Sequence, residues 1–516
     1  MAVIERGLSG MLVGNILATS AARFPEREAF FCSGTGRRFT FRQTDERANR
    51  LANALLGLGL RKGDVVAFLS TNRVEVVEIY FALARSGIVG LPLNYRLAPG
   101  ELVELVGSMG AKALVIEQGH DAAATRLREE ADGILHTIVI GAGAPTQGLD
   151  YEALIAAASP ADPAVEVREE DPFYFNLTSG TTGLPKSYVM TQYNMSTMFP
   201  MFHAHGLSET DVAMTVFPMF GRVGFGWALG TVMYGVRNVI AAFDPDEVLR
   251  LVESEKVTIV NLVATMAAML LACGRLAQAD LSSLRAITFV GSALPEKIRR
   301  ESMQRLCAGL YEYYGMQETG ALVVSTPQDR ARRPDSVGRP ILFAEVKVVD
   351  DAGRELPRGE LGEVIGRSPN SVTAYWQNAE KSAETFRNGW IHTGDLGRID
   401  EEGYLFISGR KKDMIITGGQ NVHASEVEGT VLGCDGVSDC AVIGLPDDFW
   451  GERVAAVVVT APGRSVDPEA VIRECRKHLA GFKTPKQVIV STEPLPRTPT
   501  GKVQKFLLVE RYAAGA

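Results

Sequence analysis

The stretch Leu177–Ser187 reads LTSGTTGLPKS and combines the side chains that bind phosphate groups. Its hydroxyl groups donate hydrogen bonds to phosphate oxygens, its glycines let backbone N–H groups approach an anion closely, and its lysine adds a positive charge. The residues that would do this are Thr178, Ser179, Gly180, Thr181, Thr182, Gly183 and Lys186. A solvated surface loop of the same composition is the alternative interpretation.

The spacing of this loop excludes an ordinary nucleotide-binding P-loop. That motif requires a glycine directly before the lysine, and Pro185 occupies that place here. The loop therefore favours phosphate binding of another kind.

Alternating strands and helices surround the loop in the sequence. Short apolar runs at 65–70, 88–94, 236–243 and 286–292 are typical of buried strands, and helical spacing of apolar residues occurs between them, as at 74–87. This alternation predicts an α/β protein, with parallel sheets covered by helices in stacked layers.

A change in pattern near residue 412 predicts a second domain. The preceding segment is charged and rich in glycine, and a compact set of strands and helices follows it. We expect a large N-terminal domain over 1–411, with the nucleotide and acid sites, and a small α+β C-terminal domain over 412–516. A chain of 516 residues is too long for one core.

Composition narrows the class of protein. The hydrophobic fraction of 46% and the charged fraction of 22% are ordinary for a globular protein, and a net charge of −8 argues against general binding of nucleic acid. The six cysteines form no CxxC pair, which argues against a zinc site and fits a reducing compartment such as the cytoplasm. No apolar run is long enough to predict a membrane-spanning segment.

Six segments in order along the chain are similar to motifs of one enzyme family. They are LTSGTTGLPKS (177–187), VGSALP (290–295), YYGMQETG (313–320), WIHTGDLG (390–397), ISGRKKDMIITGGQNVHASEVE (407–428) and LPRTPTGKVQK (495–505). On these motifs the chain resembles the adenylate-forming superfamily, in its acyl-CoA synthetase branch. The resemblance implies a ligase that activates a carboxylic acid with ATP as an acyl-adenylate and transfers the acyl group to coenzyme A.

The resemblance also assigns nucleotide-binding roles. Lys502 would bridge the carboxylate and the α-phosphate, Thr182 would act with it in catalysis, and Glu318 would hold Mg²⁺. The remaining ATP and AMP contacts would come from the phosphate loop and from Gly291, Ser292, Ala293, Tyr313, Tyr314, Gly315, Gln317, Asp395 and Arg410. Tyr314 would stack on adenine, or be an aromatic core residue. Asp395 would bind the ribose hydroxyls, or cap a helix or a turn.

The same resemblance places a hinge and two substrate channels. Lys412 would be the hinge of a rotating C-terminal domain, and Gly418 and Gly419 would face the tunnel for coenzyme A, although a glycine pair also suits a simple turn. The acyl pocket would be walled by Gly221, Arg222, Val223, Gly224, Phe225 and Trp227. These residues are mostly apolar, so a hydrophobic fatty, alicyclic or aryl acid is favoured. If Arg222 points inward, it could pair with the second carboxylate of a diacid. We favour a surface position, since an unpaired buried cation is costly.

Four residues depart from the usual family pattern. Ser187 replaces a glycine, Gln317 a threonine, Gly221 a histidine, and Ala264 lies where many relatives have proline. The Gln317 amide still donates to phosphate, and Gly221 enlarges the space near the carboxylate.

Two alternatives to acyl–CoA ligation stay open. One keeps adenylation but transfers the acyl group to a carrier protein or another nucleophile, and the other is a non-catalytic relative that binds nucleotide. The joint presence of Lys502, Glu318, Asp395 and Arg410 argues against the second. The substrates would be ATP, coenzyme A and one carboxylic acid, and a homodimer is left open.

Replacement of Lys502 tests the catalytic assignment. We expect Lys502→Ala nearly to abolish adenylation, because it removes the cation at the α-phosphate, and to spare thiolysis of a supplied acyl-adenylate. Separate assays of the two half-reactions measure this. Equal loss of both half-reactions would contradict the role.

Overall fold

The computed structural model describes residues 10–141, 147–178, 186–292, 294–497 and 503–513 of the chain. The side chains of Thr178 and Lys186 lie outside that description. Ser179 to Gly183, Ala293 and Lys502 also lie outside the described residues, so their predicted roles are not addressed by the geometry.

The chain forms two compact units. The first comprises the described residues up to Ala331, with Pro340–Glu345 and Arg367–Gly389, and the second comprises Arg332–Arg339, Val346–Gly366 and the described residues from Trp390 onward. Residues 390–411 therefore pack with the C-terminal unit, whereas the sequence analysis placed them in the first domain. The predicted boundary at Lys412 marks the point about which the C-terminal segment would rotate. That boundary stays a prediction.

One sheet of the first unit carries the phosphate-loop segment at its edge. Its strands are parallel except for the final antiparallel pair. In spatial order they are Leu149–Asp150, His136–Ile140, Ala111–Glu117, Val65–Leu69, Val89–Pro92, Pro172–Thr178 and Lys186–Thr191.

A second sheet of this unit is parallel in its centre and antiparallel at both ends. In spatial order its strands are Gly320–Ser325, Leu310–Met316, Ala286–Phe289, Ile259–Leu262, Val212–Thr215, Arg237–Ile240, Glu28–Cys32 and Arg37–Thr40. A further two-residue strand covers Arg339–Pro340.

Helices cover these sheets, and local sequence signals define their ends. A capping box at Thr40 with Gln43 starts one helix, and Gly87, with a φ of +66°, ends another in the left-handed conformation that glycine adopts readily. The helices are Val13–Arg23, Phe41–Gly57, Val74–Ser86, Pro99–Ser108, Asp121–Glu130, Tyr151–Ala157, Gln192–Ser196, Phe199–His203, Arg222–Met233, Pro245–Glu255, Ala264–Ala272, Glu296–Arg305, Pro327–Arg332 and Ala379–Thr385, with a 3₁₀ turn at Gly274–Ala277. The predicted stacked α/β class is confirmed.

The second unit is a small α+β assembly. Its first sheet contains Glu345–Val349, Gly362–Arg367, Trp390–Ile399 and Leu405–Arg410, and its second contains Gln420–His423, Met414–Thr417, Gly451–Thr460, Val437–Asp447 and Gln487–Ser491. The two-residue strand Phe386–Arg387 belongs to the first unit. Its helices are Ala424–Leu432, Pro468–His478 and Lys505–Ala513, with a 3₁₀ turn at Lys411–Asp413. Val471 and Cys475 are buried on one face of their helix, as their spacing predicts.

None of the described helices is long and apolar enough to cross a membrane.

An aromatic cluster fills the core of the first unit. The ring of Phe225 stacks on Tyr80 with centroids 3.6 Å apart, and Phe173 and Tyr174 pack against both. Phe225 is completely buried there. These contacts place Phe225 in the core and give no support to its predicted role in the wall of the acyl pocket. Val223, two residues earlier on the same helix, is half-buried.

Truncation of Phe225 tests its role in the core. We expect Phe225→Ala to lower the free energy of unfolding by about 3–5 kcal/mol, because it leaves a cavity beside Tyr80. Chemical denaturation followed by tryptophan fluorescence measures the loss. Val223→Ala on the same helix is the control and should cost much less; equal losses would contradict the assignment of Phe225 to the core.

Candidate active site

The two strands that flank the phosphate loop form a β-hairpin. Leu177 pairs with Ser187, and Thr178 pairs with Lys186 where the described part of the hairpin ends. Both ends of the loop are therefore held at the edge of a sheet. The roles of Thr178, Lys186 and the residues between them stay predictions.

Gln317 is tied to this hairpin by hydrogen bonds from two buried side chains. Tyr188 donates its hydroxyl to the Gln317 carbonyl oxygen at 2.8 Å, and Asn176 donates its Nδ2 to Gln317 Oε1 at 3.1 Å. Burial raises the pKa of the Tyr188 hydroxyl, which keeps it a neutral donor. These bonds engage Oε1 as an acceptor and leave Nε2 as the donor of this side chain, and its contact with phosphate stays a prediction.

Glu318 lies beside Gln317 with its side chain almost buried, at 6% exposure. The hydroxyl of Tyr375 donates to Glu318 Oε1 at 2.6 Å, and the backbone N–H of Val372 donates to the Glu318 carbonyl at 2.9 Å. Burial and the nearby Glu318 charge raise the pKa of Tyr375, so this hydroxyl stays protonated. The carboxylate is thus fixed in orientation.

The donor set at Glu318 fits a magnesium ion that is shared with substrate. Among the described residues, no group of three or more Asp, Glu, His or Cys side chains could hold a metal by itself. Mg²⁺ is commonly bound through one or two carboxylates, water and substrate phosphates, so a single buried carboxylate beside a phosphate loop suits it.

Arg222 corrects the expectation of a surface position. The residue is 4% exposed and begins the helix Arg222–Met233. Its guanidinium donates to the carbonyl oxygens of Gln317 and Asn370, the latter at 2.7 Å. The surface prediction was wrong because backbone carbonyls satisfy the buried cation, a solution that the sequence does not reveal.

The aromatic pair Tyr313 and Tyr314 lies on the strand Leu310–Met316. Tyr313 is buried and donates to the Met201 carbonyl, whereas Tyr314 is half-buried on the other side of the strand. Gly315 is needed for packing, since a Cβ there would lie 2.0 Å from the Gly320 carbonyl oxygen. Stacking of adenine on Tyr314 stays a prediction.

Gly291 and Ser292 follow the strand Ala286–Phe289, at the carboxyl end of the sheet where ligands of α/β proteins bind. Gly291 has a φ of +84°, and a Cβ there would meet little but Val263 at 3.9 Å. Its need for glycine is therefore conformational. Nucleotide contacts of Gly291 and Ser292 stay predictions.

Asp395 and Arg410 lie together in the second unit. They pair across two antiparallel strands, and Arg410 Nε lies 2.9 Å from Asp395 Oδ1. Asp395 sits within the strand Trp390–Ile399 and is 6% exposed, so it does not cap a helix. A buried carboxylate held by a guanidinium is a suitable acceptor for a diol, and the ribose role stays a prediction.

Gly418 and Gly419 form the turn of a two-stranded hairpin. Their φ values are +56° and +75°, which explains the glycines conformationally. A Cβ on Gly418 would also lie 2.6 Å from the Trp450 ring. Lys412 is exposed in the 3₁₀ turn before this hairpin. The tunnel and hinge roles stay predictions.

The helix that begins at Arg222 carries the predicted acyl-pocket residues. A Cβ on Gly221 would contact only the Pro218 carbonyl oxygen at 3.6 Å, so this position tolerates a side chain, whereas a Cβ on Gly224 would lie 2.3 Å from the same atom. Trp227 is buried against Phe202. The acyl roles of Gly221, Val223 and Trp227 stay predictions.

The residues that hold Gln317, Glu318 and Arg222 in place were not predicted from the sequence. They are Asn176, Tyr188, Asn370 and Tyr375. Tyr188 directly follows the phosphate-loop segment, which could have drawn attention to it. Tyr375 and Asn370 lie outside every recognised motif and carry no comparable signal.

Comparison with known proteins agrees with the predicted family. The sequence profile of the AMP-binding enzymes matches residues 17–376, and that of the AMP-binding enzyme C-terminal domain matches residues 426–502. The chain belongs to the AMP-binding enzyme family. Its relatives place it in the acyl-CoA synthetase branch of the adenylate-forming enzymes.

Two relatives of known name align over nearly the whole chain. The indoleacetate–CoA ligase of Aromatoleum aromaticum is 35% identical, covering 94% of each chain. The long-chain-fatty-acid–CoA ligase FadD13 of Mycobacterium tuberculosis is 33% identical, covering 97% of this chain and 99% of that one. Among solved structures, the anthranilate CoA ligase AuaEII in complex with anthranoyl-AMP superimposes with a TM-score of 0.88 at 29% identity, covering 99% of both chains.

Loss of the Tyr375 hydroxyl tests the assignment of Glu318 as the metal-binding carboxylate. We expect Tyr375→Phe to raise the Mg²⁺ concentration for half-maximal adenylation several-fold, because the carboxylate loses the donor that orients it. Titration of the pyrophosphate-exchange rate with Mg²⁺ measures this.

Tyr151→Phe is the matched control, since Tyr151 is a buried tyrosine whose hydroxyl donates to a different buried carboxylate, Glu78 Oε2, at 2.8 Å. It should leave the Mg²⁺ dependence unchanged. An unaltered Mg²⁺ titration in Tyr375→Phe would contradict the metal assignment.

Proposed function

We propose that this protein is an ATP-dependent, AMP-forming ligase that joins a hydrophobic carboxylic acid to coenzyme A through an acyl-adenylate. The observation that carries the proposal is a set of hydrogen bonds: two hold Gln317 against the hairpin of the phosphate loop, and one from Tyr375 orients the carboxylate of the adjacent Glu318. An acidic residue for a metal and a loop for phosphates are thereby kept side by side, as phosphoryl chemistry requires.

The first step is attack of the carboxylate oxygen on the α-phosphorus of ATP. An oxygen–phosphorus bond forms, the bond to the β-phosphate breaks, and pyrophosphate leaves with the electron pair. Negative charge at the phosphates is met by the hydroxyl, N–H and lysine groups of Thr178–Lys186, and Lys502 stabilises the α-phosphate and the carboxylate together.

Mg²⁺, when bound at Glu318, would neutralise phosphate charge and orient the β- and γ-phosphates. The residues of this chain fix the carboxylate that holds it: Tyr375 orients Glu318 from one side, and Arg222 and Tyr188 anchor the preceding carbonyl of Gln317. Asp395 binds the ribose hydroxyls, and Arg410, already paired with Asp395, reaches the ribose or phosphate side.

The second step is attack of the coenzyme A thiol on the acyl carbon. The thiol loses its proton, a carbon–sulfur bond forms, and AMP leaves with the former carboxylate oxygen. The two steps require different groups around one phosphate, so we infer rotation of the C-terminal segment about Lys412. Gly418 and Gly419, at the tip of their hairpin, would then face the pantetheine path.

The acid is hydrophobic in most of its length. The wall contributed by Val223 and Trp227 is apolar, and the curated relatives act on indoleacetate and on long-chain fatty acids according to their names. We place this chain's substrate among the fatty, alicyclic or aryl acids. A homodimer and a cytoplasmic location stay predictions.

The deciding experiment is acid-dependent exchange of radiolabelled pyrophosphate into ATP with a panel of aliphatic, aryl, alicyclic and dicarboxylic acids. We expect exchange with one hydrophobic class, followed by thioester and AMP when coenzyme A is added. Exchange without thioester would move the acceptor to a carrier protein. If no acid supports exchange, while ATP binding is retained in a direct titration, the protein is a non-catalytic relative.

A further inference from the structure

The strand that carries Asp395 is interrupted by a β-bulge at that residue. Where the neighbouring strand Gly362–Arg367 advances two residues, this strand advances four, from His392 to Leu396. Gly394, inside the bulge, has a φ of +69°. Bulges bend a strand and redirect a side chain, and they are common beside active sites. The direction of the Asp395 side chain is therefore set by the bulge.

Two backbone N–H groups inside the bulge donate to side chains. The N–H of Gly394 donates to Glu363 Oε1 at 3.3 Å, and the N–H of Asp395 donates to Thr393 Oγ1 at 3.0 Å. The Thr393 hydroxyl in turn donates to the Val364 carbonyl oxygen at 2.7 Å. Glu363 and Val364 are consecutive on the neighbouring strand, so that strand holds the bulge at two points.

Glu363 is largely buried, and both of its carboxylate oxygens face groups of this chain. The side chain is 11% exposed, and its Oε2 lies 3.2 Å from His392 Nδ1, while its Oε1 accepts from Gly394. A buried carboxylate is costly unless its oxygens have partners, and these contacts supply them. Glu363 lies outside the six motif segments of the sequence analysis. Its contacts point to a role in holding the bulge.

The Asp395 carboxylate is thus held in two ways. Its Oδ1 lies 2.9 Å from Arg410 Nε, which fixes the side chain from its tip, and the bulge fixes the backbone from which it projects. Recognition of a diol requires two hydroxyl groups to meet the carboxylate at hydrogen-bond distance and angle. A change in the backbone at Asp395 alters both contacts together, so the support of the bulge is also the support of this geometry.

We propose that Glu363 is a positioning residue for nucleotide recognition. By accepting from the Gly394 N–H, it fixes the bulge that aims Asp395 at the ribose hydroxyls, and it thereby sets the preference of the protein for ATP over deoxyribonucleotides. The inference rests on the proposed function, in which Asp395 binds the ribose, and it adds to that site a residue that no motif contains.

Discrimination between ribose and deoxyribose tests this role. We would titrate the full chain with ATP, 2′-deoxyATP and 3′-deoxyATP by calorimetry in the presence of Mg²⁺ and without any acid. The wild type should bind ATP at least about tenfold more tightly than the weaker of the two deoxy nucleotides, because a site built to hydrogen-bond a hydroxyl rejects the analogue that lacks it. This ratio of dissociation constants reports the diol contact, whereas a general loss of stability affects all three nucleotides alike.

Three substitutions of Glu363 separate its hydrogen bond from its charge. Glu363→Met has no acceptor, and Glu363→Asp keeps the charge but withdraws the carboxylate by one methylene group. Both should lower the ratio to about threefold or less, because each removes the acceptor for the Gly394 N–H. Glu363→Gln keeps a side-chain carbonyl at the same reach and should stay within about twofold of the wild-type ratio.

Asp400→Leu is the matched control. Asp400 directly follows the same strand at its far end, its side chain is 19% exposed, and its Oδ1 accepts the backbone N–H groups of Glu402 at 3.0 Å and Tyr404 at 2.9 Å. The substitution therefore removes the same kind of bond, from a carboxylate to the backbone, away from the bulge. It should keep the wild-type ratio.

The outcomes separate this proposal from the proposed function. A ratio unchanged in Glu363→Met and Glu363→Asp, or an equal fall in Asp400→Leu, would overturn the positioning role. A wild type that binds all three nucleotides equally would overturn it together with the ribose role of Asp395. In each case acid-dependent pyrophosphate exchange by the wild type would leave the ligase intact. Absence of ATP binding by the wild type would contradict the ligase itself, and this inference with it.

Discussion

The buried guanidinium of Arg222 is the interaction on which the first unit's candidate site depends. It joins three segments that are far apart in the chain, since its acceptors, the carbonyls of Gln317 and Asn370, lie 95 and 148 residues away in sequence. Removing it would leave the buried Asn370 carbonyl without this donor, at roughly 1–3 kcal/mol, whereas the Gln317 carbonyl would keep its bond from Tyr188. The start of the acyl-pocket helix and the turn that carries Glu318 are therefore fixed to one another.

This constraint reaches both ends of the proposed substrate site. On the phosphate side, the anchored carbonyl of Gln317 also accepts from Tyr188, which lies on the hairpin of the phosphate loop. On the proposed acid side, the helix that Arg222 begins continues to Thr231, whose hydroxyl accepts from Asn238 of the second sheet at 3.0 Å. Catalysis of acyl transfer depends on such fixed distances, because preorganised groups need no rearrangement when charge develops.

The fold was largely predictable from the sequence, and the packing of the site was not. Apolar runs and glycine stops located strands such as Val65–Leu69 and the helix Val74–Ser86 to within a few residues, since burial and backbone freedom are local properties. Arg222 was misplaced because its acceptors are backbone carbonyls, which no side-chain pattern encodes. Tyr375 was missed for a different reason, since its contact with the Glu318 carboxylate spans 57 residues and no local pattern encodes so distant a partner.

The most direct test of this account is the identity of the phosphorus-containing products. Phosphorus-31 NMR of the protein with ATP, Mg²⁺, coenzyme A and a substrate acid distinguishes cleavage at the α-phosphate from cleavage at the γ-phosphate. The account predicts AMP and pyrophosphate in equal amounts, dependent on the acid and matched by thioester. Formation of ADP and inorganic phosphate in step with thioester would contradict it, since a site arranged for attack at the α-phosphorus would then be performing a different reaction.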